Sequence, residues 1–362
     1  MRVLVVNAGS SSLKLALLDH DDALLSRRDL PAVRGRAAEG ALTDALAELP
    51  APDAIGHRVV HGGNRHTAVV MDAAVAAELR ELTSLAPLHQ PAALAAVGVV
   101  ARALPGVPAV ACFDTAFHAT LPAAAATYAL PRAWRERWPL RRYGFHGLSH
   151  AYVARRAAEL AGRPVDALRT ISCHLGAGAS LCAIDRGRSV ETTMGFTPLE
   201  GLVMATRAGS MDPGLVLWLI EEGGLAPAAV GHALEHESGL QGLAGTADMR
   251  EVTARALEGD ADAGLALDVY AHRLRGAIGA MAVALGGLDV LAFTGGVGEH
   301  AAGLRARVGA GLGLLGVRVD AERNAADPVD ADVAAPDAAA RTLVIAARED
   351  LEIARQVRSL PL

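Results

Sequence analysis

Five short segments of the sequence combine Asn, Asp, His, Arg and Lys side chains with glycines in a way that suits phosphoryl transfer. They are Asn7–Lys14, His57–Gly63 (HRVVHGG), Pro87–Pro91 (PLHQP), Phe113–His118 (FDTAFH) and Arg142–His150 (RYGFHGLSH). Any single histidine here also has a structural interpretation, because a histidine beside glycine is often a loop residue bound by backbone. Together, and with Arg207 added, the segments supply the positive charge and hydrogen-bond donors that a transferring phosphoryl group requires.

The residue types suggest specific roles within such a reaction. Arg58 and Arg207 can hold carboxylate and phosphoryl oxygens bidentately, and His146 can add a further donor. A carboxylate acceptor is already ionised at neutral pH, so Asp114 would position the acceptor or a metal rather than act as an obligatory base. The i,i+4 histidine pairs at His57 and His146 lack an HExxH pattern, which argues against zinc.

Length and composition limit the classes to which the chain can belong. Its 362 residues exceed the usual size of one hydrophobic core, so two domains are expected. The formal net charge of −6, without any Lys or Arg run longer than two, argues against nucleic acid or an anionic membrane as partner. The apolar start Val3–Val6 is too short for a signal peptide, and no apolar run is long enough to span a bilayer. These features predict a cytoplasmic protein with a small substrate.

Two similar strand-loop-strand patterns occur far apart in the chain. Thr170–Leu175 and Leu181–Asp185 flank the loop Gly176–Ser180, much as two apolar runs flank the loop Asn7–Ser12. Small residues let backbone N–H groups approach an anion, so each loop is a candidate phosphate contact. The repetition predicts two distantly similar halves. Cys112, Cys173 and Cys182 have no CxxC spacing and an odd count, which argues against a disulfide framework.

Helical periodicity alternates with these strands and predicts α/β architecture. A third glycine cluster, Gly295–Glu299, is predicted as a loop between the strand-like run Val290–Thr294 and a helix. Amphipathic helices are predicted over Met71–Leu85, Ala151–Ala161 and Ala261–Leu285.

One motif is misleading. Gly311–Gly316 (GLGLLG) matches the dinucleotide pattern GxGxxG, which requires a strand before it and a helix after it. Here the helical stretch Leu304–Val308 precedes it and the strand-like Val317–Asp320 follows. The context argues against a dehydrogenase.

Six segments, in order over nearly the whole chain, resemble acetate kinases. They are VLVVNAGSSSLKLALLD from Val3, GHRVVHGG from Gly56, FDTAFH from Phe113, RRYGFHGLSH from Arg141, TPLEGLVMATR from Thr197 and FTGGVGEHA from Phe293. These enzymes belong to the acetate, propionate and butyrate kinase group of the actin/hexokinase/Hsp70-like superfamily. The resemblance implies reversible ATP-dependent phosphorylation of acetate to acetyl phosphate by direct in-line transfer.

The resemblance also implies an architecture. It predicts two actin-like or ribonuclease H-like α/β domains with a duplicated βββαβα core and an interdomain cleft. The N-terminal domain would comprise residues 1–117 plus 348–362, and the nucleotide-binding domain residues 118–347. It further implies Mg²⁺ dependence, with Mn²⁺ as an alternative, ATP and ADP as substrates, and a homodimer.

Matching positions take roles by the same resemblance. Asp114 would be the acid/base or orienting carboxylate, and His146 and Arg207 would stabilise the transition state. Arg58 would bind the acceptor carboxylate. The magnesium residues would be Asn7 and Glu349. Substrate contacts would also come from Val60, Leu88, His89, Phe145 and Pro198, of which His89 would meet the phosphoryl group and the other four the acyl methyl group. Nucleotide contacts would come from Ser12, Lys14, His174, Leu175, Gly176, Ala177, Gly178, Asp248, Met249, Arg250, Gly295, Gly296, Val297, Gly298 and Glu299.

The departures from the family pattern fall mostly on the nucleotide and metal side. Ala177 replaces an Asn, Ala205 and Ser210 replace a Gly and an acidic residue, and Arg348 stands where Asn is common. The stretch between Asp22 and Gly56 is shorter than the family's. These changes leave open whether the donor is ATP, another triphosphate or pyrophosphate.

Three alternatives follow. A propionate or butyrate kinase differs by one or two methylenes in the acid, and each methylene changes pocket affinity by only about 1–3 kcal/mol. A nucleotide-binding relative with weakened catalysis would account for Ala177, Ala205 and Ser210, but retention of Arg58 and Asp114 argues against it. The dehydrogenase interpretation depends on the GxGxxG string alone.

Overall fold

The computed structural model describes residues 1–9, 12–33, 36–87 and 90–362. Its strands are β1 (Val3–Ala8), β2 (Ser12–Leu18), β3 (Leu24–Val33), β4 (Arg36–Ala37), β5 (Ala54–Val59), β6 (Val69–Val70), β7 (Ala109–Phe113), β8 (Arg169–Leu175), β9 (Ala179–Asp185), β10 (Arg188–Thr192), β11 (Val290–Thr294), β12 (Ala331–Asp332) and β13 (Arg341–Val344).

The α-helices are α1 (Glu39–Ala47), α2 (Ala73–Glu81), α3 (Gln90–Ala103), α4 (Ala123–Ala126), α5 (Arg132–Arg137), α6 (Gly147–Ala161), α7 (Pro213–Glu221), α8 (Pro227–His236), α9 (Gly239–Ala244), α10 (Met249–Leu257), α11 (Ala261–Leu285), α12 (Gly295–His300), α13 (Ala302–Gly309), α14 (Ala321–Ala325) and α15 (Glu349–Arg358). Short 3₁₀ helices cover Leu82–Leu85, Ala116–Thr120, Val165–Ala167 and Gly313–Leu315.

The chain divides into two compact units. Unit 1 comprises Met1–Ala119, Phe145–Tyr152 and Arg348–Leu362, and unit 2 comprises Thr120–Gly144 and Val153–Ala347. The segment Phe145–Tyr152, with the start of α6, thus lies in unit 1, whereas the sequence prediction gave it to the C-terminal domain. The predicted domain boundaries stay a prediction.

The sheet of unit 1 has the strand order β4-β3-β2-β1-β5-β7-β6. β1 pairs antiparallel with β2 and parallel with β5, and β5 pairs parallel with β7. Successive side chains of a strand face opposite sides, and both faces of β1 are covered. Leu4 packs in a core with Leu42 of α1 and Val100 of α3, and Val5 packs with Ile353 of α15. The carboxy-terminal helix therefore closes the face of the sheet that carries Val5.

Unit 2 repeats this arrangement. Its sheet has the order β10-β9-β8-β11-β13-β12, with β8 antiparallel to β9 and parallel to β11. Both sheets contain three antiparallel strands (β3-β2-β1 and β10-β9-β8) followed by two parallel ones and an antiparallel edge strand, and the unit 1 sheet adds β4 beside β3. α11 buries Tyr270, Leu274 and Ile278, which lie four residues apart on one helix face. The duplicated α/β core expected from the sequence is confirmed.

Most predicted elements lie where the sequence placed them. β11 and α11 have the predicted bounds, while β1 runs past Val6 because Asn7 and Ala8 continue the ladder with β2. The predicted loop Gly295–Glu299 is wrong, since these residues form most of α12, which begins at Gly295. Glycine content was a poor guide there because the segment directly follows a buried parallel strand, where a helix is the usual continuation.

The GxGxxG string lies in the context that argued against a dinucleotide site. α13 precedes it, a 3₁₀ helix lies within it, and bridges at Val317 and Val319 follow. Among the described residues, no helix is long and apolar enough to cross a membrane.

Candidate active site

Three predicted site residues lie at one edge of the unit 1 sheet. Asn7 is near the carboxyl end of β1, Arg58 is near that of β5, and Asp114 directly follows β7. These strands are parallel neighbours, and their register aligns the three ends. The crevice at the carboxyl ends of parallel strands is where α/β proteins usually bind ligands.

The Arg58 guanidinium is the centre of this cluster. Its Nη2 donates to Oδ2 of Asp114 at 2.7 Å, and its Nε lies 3.1 and 3.2 Å from the two oxygens of the same carboxylate. Its Nη1 donates to Oδ1 of Asn7 at 3.1 Å. The Arg58 side chain is 14% exposed and that of Asp114 is 1% exposed. Arg58 is therefore fixed by two neighbours while part of it stays accessible.

Charge and burial act against each other in this pair. Burial disfavours the charge on Arg58, but the carboxylates of Asp114 and Glu349 outweigh it and raise the Arg58 pKa above its ordinary value. Burial also raises the pKa of Asp114, and the Arg58 guanidinium offsets part of that rise. Removing either partner would leave an uncompensated buried charge, which costs several kcal/mol, about 3–5 in comparable buried pairs.

Asn7 and Glu349 are the predicted magnesium residues, and each carries a side-chain oxygen of the type that Mg²⁺ binds. Nδ2 of Asn7 donates to Oε2 of Glu349 at 2.9 Å, and Nη1 of Arg58 lies 3.9 Å from the same oxygen. Among the described residues there is no group of three or more His, Cys, Asp or Glu side chains that could hold a metal. Mg²⁺ commonly takes one or two protein oxygens and completes its shell with water and substrate phosphates. The amide and carboxylate oxygens fit such a partial site.

His146 lies beside Asp114 in unit 1. Gly147, the residue after it, donates its backbone N–H to the carbonyl oxygen of Asp114 at 2.8 Å. A Cβ at Gly147 would lie 2.1 Å from that oxygen, so only glycine permits the approach. Asp114 thus holds Arg58 with its side chain and the His146 segment with its backbone.

The remaining unit 1 residues of the prediction are placed as follows. Lys14 is paired with Asn7 across the β1–β2 ladder, so its exposed side chain lies on the same face of the sheet. Ser12 begins β2. Val60 and Phe145 are buried. The predicted residues Leu88 and His89 lie outside the described residues.

Arg207 and Pro198 come together in unit 2. Nη1 of Arg207 donates to the carbonyl oxygen of Pro198 at 3.1 Å. Burial lowers the pKa of Arg207, and Glu235 opposes that shift. Arg207, the predicted catalytic arginine, is therefore hydrogen-bonded to Pro198, which was predicted to contact the acyl methyl group.

The sequence assigned no role to the residues that hold this segment. Arg142 donates from Nη1 to the carbonyls of residues 192, 193 and 194 at 3.2–3.3 Å, and from Nη2 to Oε1 of Glu200 at 2.7 Å. Tyr128 donates to the other Glu200 oxygen and accepts from the backbone N–H of Phe196. Arg142 and Glu200 lie inside the segments RRYGFHGLSH and TPLEG, so the resemblance to the family could have drawn attention to them. Tyr128 lies in none of the segments that carry the resemblance.

Two predicted nucleotide segments meet at the carboxyl edge of the unit 2 sheet. The turn after β8 is closed by a hydrogen bond from Gly176 N to Gly178 O at 3.0 Å. Gly295, which directly follows β11, has φ 78°, and a Cβ there would lie 2.7 Å from the carbonyl oxygen of Leu175. The chain after β11 therefore packs directly on the end of β8. The predicted residues in this pair of segments are His174, Leu175, Gly176, Ala177, Gly178, Gly295, Gly296, Val297, Gly298 and Glu299.

A buried arginine supports the second of these segments. Arg305, 1% exposed, donates to the carbonyls of Gly298 and Glu299 and to the side chain and backbone oxygens of Asn324. No sequence feature indicated a buried Arg305, because an arginine on a helix is rarely fully buried.

The third nucleotide segment has a capping role of its own. Asp248 caps α10 by accepting from the backbone N–H of Arg250 and pairs with the Arg250 guanidinium at 2.6 Å. The Arg250 side chain and backbone N–H lower the pKa of Asp248 to about 2. Met249 is buried. Only Asp248 and Arg250 therefore offer exposed side chains to a ligand.

Comparison with known proteins agrees with this architecture. A sequence model of the Acetokinase family matches residues 40–355. The chain is 47% identical over 387 residues to the acetate kinase of Leifsonia xyli subsp. xyli, covering 98% of this chain and 97% of that one. It is similar to the crystal structure of Porphyromonas gingivalis acetate kinase, with 34% identity, TM-score 0.89 and 99% of each chain covered. It is equally similar to a propionate kinase from Francisella tularensis subsp. tularensis, with 34% identity, TM-score 0.91 and 99% and 100% coverage.

These relatives show that the chain is a phosphotransferase that uses a carboxyl group as acceptor, and the duplicated α/β core agrees with that class. The chain belongs to the acetokinase family.

Proposed function

We propose that the chain is an acetate kinase that transfers the γ-phosphoryl group of ATP reversibly to acetate, forming acetyl phosphate and ADP. The observation that carries this proposal is the placement of Arg58. Its hydrogen bonds to Asp114 and Asn7 use one N–H on each of the three nitrogens, so with respect to the described residues one N–H each on Nη1 and Nη2 stays available for a carboxylate. A planar pair of donors on a fixed guanidinium suits one small carboxylate.

In the proposed reaction, an acetate oxygen forms a bond to the γ-phosphorus while the bond from that phosphorus to the ADP oxygen breaks. The electron pair of the broken bond leaves with ADP. Acetate is already ionised, so no base has to remove a proton. Asp114 fixes Arg58, and Arg58 orients the acetate, which lowers the entropic cost of alignment.

His146 and Arg207 are proposed to donate hydrogen bonds to the equatorial phosphoryl oxygens, where negative charge is spread in the transition state. Mg²⁺, when bound by Asn7 and Glu349, would neutralise charge on the nucleotide phosphates. The turn after β8 and the α12 segment are proposed to contact the nucleotide, because each offers glycine backbone at the carboxyl ends of the parallel strands β8 and β11.

The acid could also be propionate, because the chain is as similar in structure to the propionate kinase as to the acetate kinase. One methylene is worth only about 1–3 kcal/mol in an apolar pocket. We propose acetate as the preferred acid because the more similar full-length relative is an acetate kinase. The number of carbons in the preferred acid is decided by measurement.

An acyl-hydroxamate assay with purified protein tests the proposal. Acetate, propionate and butyrate are each supplied with ATP, with another nucleoside triphosphate or with pyrophosphate, in Mg²⁺ and then in Mn²⁺. The highest kcat/KM is expected for acetate with ATP. Absence of hydroxamate with every acid and donor would contradict the proposal, and a preference for propionate would replace acetate as substrate.

We further propose a homodimer located in the cytoplasm. α7 presents an apolar surface, with Leu215, Leu217 and Trp218 47%, 56% and 56% exposed. None of its residues is buried. A large exposed apolar helix face is typical of a protein interface, and a second copy of this chain is the proposed partner.

A further inference from the structure

The backbone at His146 is unusual. His146 has φ 56°, in the left-handed region that residues with a side chain rarely adopt. Such a conformation persists only where its surroundings hold it, and it is often found where a side chain must be presented to a ligand. The residues on both sides of His146 therefore determine whether its imidazole keeps its position.

Hydrogen bonds hold the chain before and after His146. Gly147 donates its N–H to the Asp114 carbonyl at 2.8 Å. On the other side, Nε2 of His118 lies 2.9 Å from the carbonyl oxygen of Phe145. Both anchors come from the segment that follows β7, and all of these residues belong to unit 1.

The burial and the neighbours of His118 favour this hydrogen bond. It lies in the 3₁₀ helix Ala116–Thr120, is fully buried, and packs edge-on against the rings of Phe117 and His150. Burial lowers its pKa to about 4, so the ring is neutral near pH 7. A carbonyl oxygen can only accept, so Nε2 must carry the single ring proton.

We infer that His118 is a positioning residue, which holds the Phe145 carbonyl and thereby the left-handed backbone that presents the His146 imidazole to the transferring phosphoryl group. The inference rests on the proposed function. The effect of His118 passes through the peptide group between Phe145 and His146, whose carbonyl it holds, while Asp114 holds the peptide group on the other side.

Two substitutions of His118 separate this role from simple stabilisation. His118→Leu keeps an apolar volume but removes the donor, and His118→Gln restores an N–H at a similar reach. His118→Leu should lower kcat by about 10–100-fold, the usual effect of losing a group that orients a catalytic residue. The KM values for acetate and ATP should stay within about threefold, and His118→Gln should recover most of kcat.

Leu42→Ala provides the control. Leu42 is buried in the core that contains Leu4, whereas Leu148, next to Gly147, belongs to the core on the opposite face of the sheet. This substitution should therefore lower stability alone. An equal loss of kcat in Leu42→Ala at equal thermal destabilisation would overturn the inference. A His118→Leu enzyme with unchanged kcat, or a His118→Gln enzyme no better than it, would do the same.

A second readout does not depend on activity. The His146 ring signals in a ¹³C-histidine NMR spectrum, assigned by their loss in His146→Gln, should shift or split in His118→Leu and return in His118→Gln. Unmoved His146 signals would overturn the positioning role. Wild-type protein without kinase activity would contradict the proposed function separately, because these signals can be compared in an inactive protein.

Discussion

Asn7 and Glu349, which are 342 positions apart in the sequence, are joined by a hydrogen bond of 2.9 Å between the Asn7 amide and the Glu349 carboxylate. Asn7 lies on β1, and Glu349 is the first residue of α15, which packs against the same face of the sheet through Ile353. The contact is a consequence of the carboxy-terminal helix returning to the first sheet. It places a carboxylate beside an amide at the edge where a phosphate would arrive.

We predict that Glu349→Gln weakens metal binding. A neutral amide replaces the one charged oxygen ligand of the proposed site, so Mn²⁺ affinity in the presence of ADP should fall by at least about tenfold. Electron paramagnetic resonance of free Mn²⁺ measures this without turnover. Asp350→Asn is the matched control, because Asp350 is paired with Arg348 instead. Equal affinities for wild type and Glu349→Gln would remove Glu349 from the metal site.

Arg58→Ala should reduce kcat/KM for acetate by at least about two orders of magnitude, the scale of a charge-assisted bidentate pair. The ATP constant should change little, because Arg58 is assigned to the acceptor. Arg102→Ala removes an exposed arginine paired with Glu39, and surface pairs are worth only about 0–1 kcal/mol, so its kinetics should match wild type. Near-normal acetate kinetics in Arg58→Ala would refute the assignment.

His57 should make the protein sensitive to acid. It is 2% exposed, its Nε2 has no hydrogen-bond partner among the described residues, and burial lowers its pKa to about 4. A group whose pKa is depressed on folding stabilises the fold above its ordinary pKa, about 6.5, and that contribution is lost as the pH falls towards about 4. His61 and His118 are shifted in the same direction by burial.

We therefore predict that His57→Leu is less acid-sensitive than wild type. Between pH 7 and pH 5 the His57 contribution to the free energy of unfolding falls by about 2 kcal/mol, and the variant should be spared that loss. Urea unfolding at the two pH values measures it. His20→Leu is the control, because the His20 side chain is 71% exposed. An identical pH dependence in His57→Leu and wild type would show that His57 does not titrate as its burial indicates.

The proposed dimer interface is tested by Trp218→Lys. A charge in the middle of the α7 face should dissociate a dimer that uses it, lowering the molar mass measured by light scattering about twofold. Trp134→Lys, at a residue that is 51% exposed on α5, is the matched control. A dimer that survives Trp218→Lys uses another surface, and a monomeric wild type contradicts the homodimer itself.

Repeated strand and loop patterns, as in Thr170–Leu175 and its following loop, predicted two similar halves, and the resemblance to acetate kinases implied the duplicated core. It could not predict that Arg58 is held by Asp114, since that contact depends on β5 and β7 being neighbours in the sheet. The role of Arg305 could not be predicted either, because most of its partners are backbone carbonyls, which do not depend on residue type. Local periodicity determines elements, whereas these supports depend on tertiary register.

Ala177 stands where the family usually has an asparagine, and the structure shows how that turn is held. Ala177 is exposed, and its carbonyl oxygen accepts a hydrogen bond from the backbone N–H of Ala205 at 3.2 Å. Two of the three departures at Ala177, Ala205 and Ser210 are thus direct neighbours. The contact uses backbone atoms alone, so a larger exposed side chain at Ala177 should leave it intact.

We predict that Ala177→Asn improves the use of ATP. An asparagine amide can donate to a phosphate oxygen, and a hydrogen bond to a charged group contributes roughly 1.5–3 kcal/mol. Each decade in a rate or binding constant corresponds to about 1.4 kcal/mol, so kcat/KM for ATP should rise about tenfold. The KM for acetate should stay unchanged, because Arg58 binds the acceptor.

The control variant is Ala177→Asp, whose side chain has the same shape as asparagine but carries a negative charge and no donor, so it should weaken ATP use. If Ala177→Asn leaves ATP kinetics unchanged or impairs them, the turn does not meet the ATP phosphates through this side chain. Another donor or another nucleotide pose would then have to replace the proposed one.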